Sequence, residues 1–179
     1  TPSYESNIAT AIITTTSVND APVAANVYGS GSEGGTITTT LTATDVDSSG
    51  SENFTFSIVS QPTNITGSVN IGDVIQAGNG TFTAVATYTH DGSETTSDSL
   101  KYTANDGDSD STPANANIVI TAINDAPVLD AIEPIAVDED ESITVALSAT
   151  DVDYVSFDFD AASENDNILT SIENNLLTV

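Results

Sequence analysis

The stretch Asn-Asp-Ala-Pro-Val occurs twice, as Asn19–Val23 and again as Asn124–Val128, 105 residues later. That interval is about one small domain. The proline fixes its own φ and pushes the preceding alanine toward extended conformations. The stretch is therefore a short, stiff joint between modules, unlike a Gly/Ser linker. Each copy is preceded by a β-branched run: Ile8-Ala9-Thr10-Ala11-Ile12-Ile13-Thr14-Thr15-Thr16 before the first and Asn117-Ile118-Val119-Ile120-Thr121-Ala122-Ile123 before the second. Both runs read as final strands of a module.

The segment after each joint also repeats. Ile37, Leu41 and Ala43, with Thr39 between them, share one face at period two, and Asp45-Val46-Asp47 closes the run. After the second joint Ile143, Val145, Leu147 and Ala149 do the same, and Asp151-Val152-Asp153 closes it. Ile37/Ile143, Leu41/Leu147 and Asp45/Asp151 are each 106 positions apart, so the repeat carries one inserted residue. Between the joints, further alternating runs (Phe54–Ile58, Phe82–Tyr88, Leu100–Ala104) are separated by Gly, Pro, Asn and Asp turns. About seven short strands in one module is the pattern of an Ig-like sandwich of two antiparallel sheets. The reading is therefore all-β, tandem Ig/cadherin-like antiparallel β-sandwiches. Residues 1–18 are the last strand of a preceding module, 19–123 a complete sandwich, and 124–179 a sandwich lacking its last strands. In 124–179, Val155, Phe157 and Phe159 alternate as a further strand. Joining the end of the chain to its start would let residues 1–18 complete a neighbouring copy.

Charge narrows the function. There are 27 acidic residues and one basic residue, Lys101, for a net charge of −26. Such a chain repels nucleic acid and anionic membranes, and no apolar run reaches the ~18–20 residues of a membrane helix. Two readings of the acid stand together: a solvated surface suited to brine, and sites loaded with divalent cations. There is no Cys, hence no disulfide or thiolate site. One His, His90, placed in a turn, and no Cys give neither a zinc site nor a catalytic triad. Catalysis is not expected. Lys101 alternates with Leu100 and Tyr102 and reads as a solvent-facing strand residue rather than a crosslink. The few aromatics mostly fit inward positions.

Calcium takes six to eight hard oxygens, carboxylates foremost. In an extended Asp-Val-Asp triplet the two carboxylates leave on one face and the valine turns into the module. A lone Asp reads first as a solvated turn carboxylate; for the pairs beside a joint, calcium is the stronger reading. Asp106-Gly107-Asp108-Ser109-Asp110 resembles part of a calcium loop but lacks the closing Glu of an EF-hand.

The two joints, Ala43-Thr44-Asp45-Val46-Asp47, Ala149-Thr150-Asp151-Val152-Asp153 and Tyr102-Thr103-Ala104-Asn105-Asp106-Gly107 together resemble bacterial cadherin-like tandem repeats, the modules of large secreted adhesins. The resemblance implies an extracellular or cell-surface setting, Ca²⁺ as the bound ion, and other copies of the same module as partners. It implies ligand sets too. For the first joint these are Asn19, Asp20, Asp45, Asp47 and Asp106, with the equivalent of Glu139 from the preceding copy. For the second they are Asn124, Asp125, Asp151 and Asp153, with Glu33 and Asp91 from the middle module. The implied role is a calcium-stiffened adhesin, stalk or filament; the alternative is a sandwich that holds a surface carbohydrate or protein ligand.

Overall fold

A computed structural model describes every residue except Ser6. The chain forms two compact units, Thr1–Thr121 and Ala122–Val179.

The first unit holds nine strands: β1 (Val23–Ala24), β2 (Val27–Ser32), β3 (Thr36–Thr44), β4 (Thr55–Ser60), β5 (Ile65–Ile71), β6 (Ile75–Gly78), β7 (Thr81–His90), β8 (Ser97–Asn105) and β9 (Ala114–Thr121). Their order is β4-β8-β9-β2-β3-β7-β5, with β1 also on β3 and β6 on β7. The period-two pattern dictates which face is buried. Ile37, Thr39, Leu41 and Ala43 of β3 are buried together, as are Phe82, Ala84, Ala86 and Tyr88 of β7, Leu100, Tyr102 and Ala104 of β8, and Ala114, Ala116, Ile118 and Ile120 of β9. Phe54 stacks on Phe82 with ring centroids 3.9 Å apart.

One pairing departs from the antiparallel expectation. β2 runs parallel to β9, in register from Val27↔Ala116 to Ser32↔Thr121, while touching β3 only at Ser30↔Thr38. Its glycines make this path possible. A Cβ on Gly29 would press against Ile118 and Thr39, and one on Gly31 would overlap Ile37. The alternation of Tyr28-Gly29-Ser30-Gly31 therefore leaves the inward side empty for neighbours.

The outward face of β3 and β7 is a ladder of threonines: Thr36↔Thr89, Thr38↔Thr87, Thr42↔Thr83 and Thr44↔Thr81, with Thr40↔Val85 in the middle. β-branched cross-strand pairs contribute roughly 0.2–1 kcal/mol each. Threonine supplies that packing and stays wettable.

Tyr102 pins the start of the module. Its hydroxyl lies against the carbonyl oxygens of Ala25 and Thr42, the latter at 3.0 Å, and accepts from the Thr42 N–H at 3.2 Å. Tyr102→Phe removes the hydroxyl's bond to the Ala25 carbonyl and the acceptor of the Thr42 N–H, while the Thr42 carbonyl keeps the Ala25 N–H, at about 0.5–1.5 kcal/mol per bond lost. The urea midpoint of the first unit is expected to fall with an unchanged m value.

The second unit has β10 (Val128–Leu129) paired with β12 (Ala149–Thr150), and β11 (Thr144–Ala146) paired with β14 (Leu176–Thr178), itself paired with β13 (Ser171–Glu173). The β13–β14 hairpin turns on Asn174 and Asn175, both at positive φ, which asparagine tolerates.

Two expected strands are absent. Ile8–Thr16 is not a strand, and Ile8, Ile12 and Ile13 are 86–95% exposed. Residues 154–160 have no strand either, although Phe157 and Phe159 lie edge to face at 6.5 Å. Alternation makes a segment strand-competent, but a strand needs a neighbour to take its N–H and C=O groups. Among the described residues neither segment has one, whereas β4 in the first unit lies on β8.

Candidate metal centre

The first joint packs against the end of β3. The Asp20 N–H donates to Asp47 Oδ2 at 2.7 Å. Asp45 Oδ1 accepts from the N–H groups of Asp47 at 2.9 Å and Ser48 at 2.6 Å. Asp45-Val46-Asp47 is thus an Asx turn following β3, not extended strand. This corrects the expected geometry of the triplet. Val46 keeps the outward parity of β3 and is 83% exposed, against the inward place expected of it, and Val152 is likewise exposed. Asp45 continues the inward parity of Ile37, Leu41 and Ala43, at 5% exposure.

Asn19 reaches across to the β8–β9 loop. Its Nδ2 donates to Asp106 Oδ2 at 3.0 Å and also to the Asp20 carbonyl at 3.2 Å. Asp106 Oδ1 accepts from the Asp108 and Ser109 N–H groups, both at 2.8 Å. Desolvation pushes the Asp106 carboxyl up, but the amides of Ser109 and Asp108 and the Asn19 side chain together hold it below the usual carboxylate value. Asn19, Asp20, Asp45, Asp47 and Asp106 are therefore gathered by one hydrogen-bonded network in the first unit. Asp20 and Asp45 line a hollow of about 640 Å³ that Asn79 and Gly80 also border.

One atom in this network is unsatisfied. Asp45 Oδ2 is buried and has no hydrogen-bond partner. A buried polar group without a partner costs free energy, most of all when ionised. The second unit reproduces the arrangement. The Asp125 N–H donates to Asp153 Oδ2 at 2.7 Å, and Asp151 Oδ1 accepts from Asp153 at 2.7 Å and Tyr154 at 2.9 Å. Asn124 Nδ2 donates to the Asp125 carbonyl at 2.6 Å. Asp151 Oδ2 is again buried and unpartnered. Each of the two units thus leaves the same oxygen of the same aspartate unsatisfied.

The other expected ligands lie elsewhere in their units. Glu33 is in the β2–β3 turn, 7% exposed. β3 spans nine residues, about 30 Å, so Glu33 and Asp45 sit at opposite ends of the first unit. The Glu94 carboxylate, in the β7–β8 loop, comes within 4.8 Å of that of Glu33. Sequence reading does not single out Glu94; its signal is an acidic residue three positions after Asp91 in the same turn. Asp91 Oδ1 accepts from the Ser93 N–H at 3.0 Å. Glu139 is exposed in the second unit, in the turn closed by Glu141 N–H to the Asp138 carbonyl at 3.2 Å.

His90 differs from its expected place in a turn. It ends β7 and is buried, with Nδ1 facing the N–H groups of Gly34 at 3.4 Å and Gly92 at 3.2 Å, and Nε2 at 3.1 Å from Thr95 Oγ1. The ring ties the β2–β3 turn to the β7–β8 loop and so positions Glu33 and Glu94.

No curated protein matches the chain in sequence. Among solved structures, it is similar to an endo-fucoidan hydrolase of glycoside hydrolase family 107 at 20% identity and TM-score 0.41, covering 61% of this chain but only 15% of that one. It is similar to the tandem Ig repeats of Dlar at 12% identity and TM-score 0.32, covering 88% of this chain and 81% of that one. It is also similar to domains 4–9 of the surface layer protein SbsC, at 12% identity and TM-score 0.33, covering 90% of this chain and 26% of that one. Residues 19–119 match the bacterial Ig domain family. That span runs from the first joint to the body of β9, and it agrees with the sandwich and its buried alternation. The chain belongs to the bacterial Ig domain family.

Proposed function

We propose that this chain is a structural segment of an extracellular adhesin, stalk or surface filament, stiffened at its joints by calcium. The observation that carries this reading is the unsatisfied buried carboxylate oxygen at Asp45 and at Asp151. A hard divalent cation supplies what hydrogen bonding leaves out there, and it offsets part of the −26 charge. Asn19, Asp20, Asp45, Asp47 and Asp106 would hold the ion of the first joint. Asn124, Asp125, Asp151 and Asp153 would hold that of the second. Glu33 and Asp91, with Glu94, are the ligands proposed at the end of the first unit away from Asp45. Calcium here supplies charge and geometry, not chemistry: it cross-links the joint backbone to the β3 turn and the β8–β9 loop. The partners are other copies of the same module. Bacterial Ig domains usually occur in extracellular or surface proteins, and the described residues contain no helix long and apolar enough to cross a membrane.

Small-angle scattering tests the stiffening. Calcium at about 10 mM, above the roughly 10⁻⁴–10⁻³ M dissociation constants of extracellular modules, is expected to lengthen the maximum dimension relative to excess chelator. Circular dichroism should show the strands retained in both. An unchanged dimension overturns the stiffening role.

A further inference from the structure

The 27 carboxylates of this chain are unevenly placed. Those of the first unit lie in turns, loops and the N-terminal segment, save Asp98 at an inward position of β8, while the outward positions of β2, β8 and β9 carry none. Those positions hold Tyr28, Lys101, Asn105, Asn115 and Asn117, and otherwise Ser, Thr and one Val. The registers set them side by side. Tyr28 pairs with Asn117, and Asn117 with Ser99, making one row across three strands. Asn115 pairs with Lys101 in the next row. Residues opposite one another on one face have Cβ atoms about 4.5–5.5 Å apart. Tyr28 is 78% exposed and, with Tyr4 and Tyr154, departs from the inward placement expected of the aromatics; it is the one that stands on a strand of the sheet. Lys101 is the chain's only Lys or Arg, and among the described residues it forms no ion pair with any carboxylate. A lone cation amid 27 acids that pairs with none of them stands on a face from which acid is excluded.

We propose that this face binds a polysaccharide strand of mostly neutral sugars carrying sparse acidic substituents. The exposed tyrosine offers a flat apolar surface with a polar tip, suited to the C–H face of a sugar ring. Asn115, Asn117 and Ser99 offer donors and acceptors to sugar hydroxyls. Lys101 pairs with an isolated carboxylate. A densely charged polymer is repelled by the rest of the chain, and a fully neutral one leaves Lys101 unused, so the sparse acid follows from the charge pattern. The face lies on the side of the sheet rather than at its ends, so binding is independent of the joints and of calcium.

Affinity electrophoresis of the full chain tests this, with low-substitution carboxymethyl cellulose in the gel as probe and hydroxyethyl cellulose as the neutral comparison, each in calcium and in chelator. Carboxymethyl cellulose is expected to retard the chain in both ionic conditions. Tyr28→Ala and Lys101→Gln should each reduce retardation at least fivefold while leaving the urea midpoint unchanged, and Thr83→Ala on β7, a strand that pairs with none of β2, β8 and β9, should not reduce it. Absence of retardation, or retardation untouched by both variants, overturns the site. Equal retardation by the two polymers overturns the pairing with Lys101. Because the joints are not involved, failure here leaves the calcium reading standing, and loss of calcium stiffening leaves this one standing.

Discussion

Replacing Asp45 by asparagine is expected to erase the calcium-dependent stabilisation of the first unit while leaving the calcium-free protein as stable as before, or more so. Without an ion, Asp45 Oδ2 is a buried oxygen with no partner, and ionisation there opposes folding. An amide keeps the oxygen that accepts from Asp47 and Ser48 and removes the charge. With calcium at ten times its dissociation constant, the wild-type site gains about 1.4 kcal/mol, a rise of about 6–11 °C in midpoint for a domain near 100 residues. Asp45→Asn removes that rise. The near-ultraviolet signal of the buried Tyr88 and Tyr102 follows the first unit through thermal scans with and without calcium. A calcium shift of wild-type size in the variant counts against Asp45 as a ligand. The paired change Asp151→Asn should leave the first-unit transition alone, because the network around Asp45 lies wholly within residues 19–109.

Gly80→Ala should destabilise the first unit more than any single change at the joint. Gly80 sits at φ +68 in the β6–β7 hairpin, where an L side chain costs about 1–2 kcal/mol. A Cβ there would also overlap the backbone carbonyl oxygen of Asp45. Relieving that overlap breaks the Asp45 N–H to Gly80 carbonyl bond, now 2.8 Å, for a further ~1 kcal/mol or so, and it displaces the Asx turn. The expected total is about 3 kcal/mol, a midpoint lower by roughly 12–24 °C, with calcium affinity reduced as well. Gly78→Ala is the control. Gly78 has φ +97, but a Cβ added there meets nothing within 4 Å, so only the backbone cost remains and calcium response persists. Equal losses in the two variants would show that the hairpin does not brace the site.

The buried faces are legible in the sequence because each obeys period two without interruption: Ile37 through Ala43, and Phe82 through Tyr88, fall inward as the alternation requires. The joints are legible because the β-branched run, the Asn-Asp-Ala-Pro-Val stretch, the alternating run and the closing Asp-Val-Asp recur in one order. The local shape of the Asp-Val-Asp triplets is not. Alternation assumes extended backbone, and the Asx turn at Asp45 ends that assumption one residue after β3. The sides themselves follow the alternation of β3: Asp45 continues the inward positions of Ile37, Leu41 and Ala43, and Val46 the outward ones. His-Asp-Gly reads as a turn, yet β7 runs on through His90, the next inward position after Phe82, Ala84, Ala86 and Tyr88, where Nδ1 accepts from the Gly34 and Gly92 N–H groups. The parallel course of β2 has no signal beyond its glycines. Glu94 escapes a sequence reading because its nearness to Glu33 is created by two loops far apart in the chain, which no local spacing encodes.

The parallel β2–β9 ladder bears on how this module would carry a pull applied at its two ends. A pull on the module enters at Asn19, reaches β2 through the two-residue β1, and leaves beyond Thr121, the last residue of β9. Because the two strands run the same way, tension draws them past each other along their length. All six paired positions from Val27↔Ala116 to Ser32↔Thr121 then resist together in shear, whereas an antiparallel hairpin pulled at its open end parts one bond at a time. The glycines that admit β2 beside β9 thereby give the module a clamp aligned with the direction of stress.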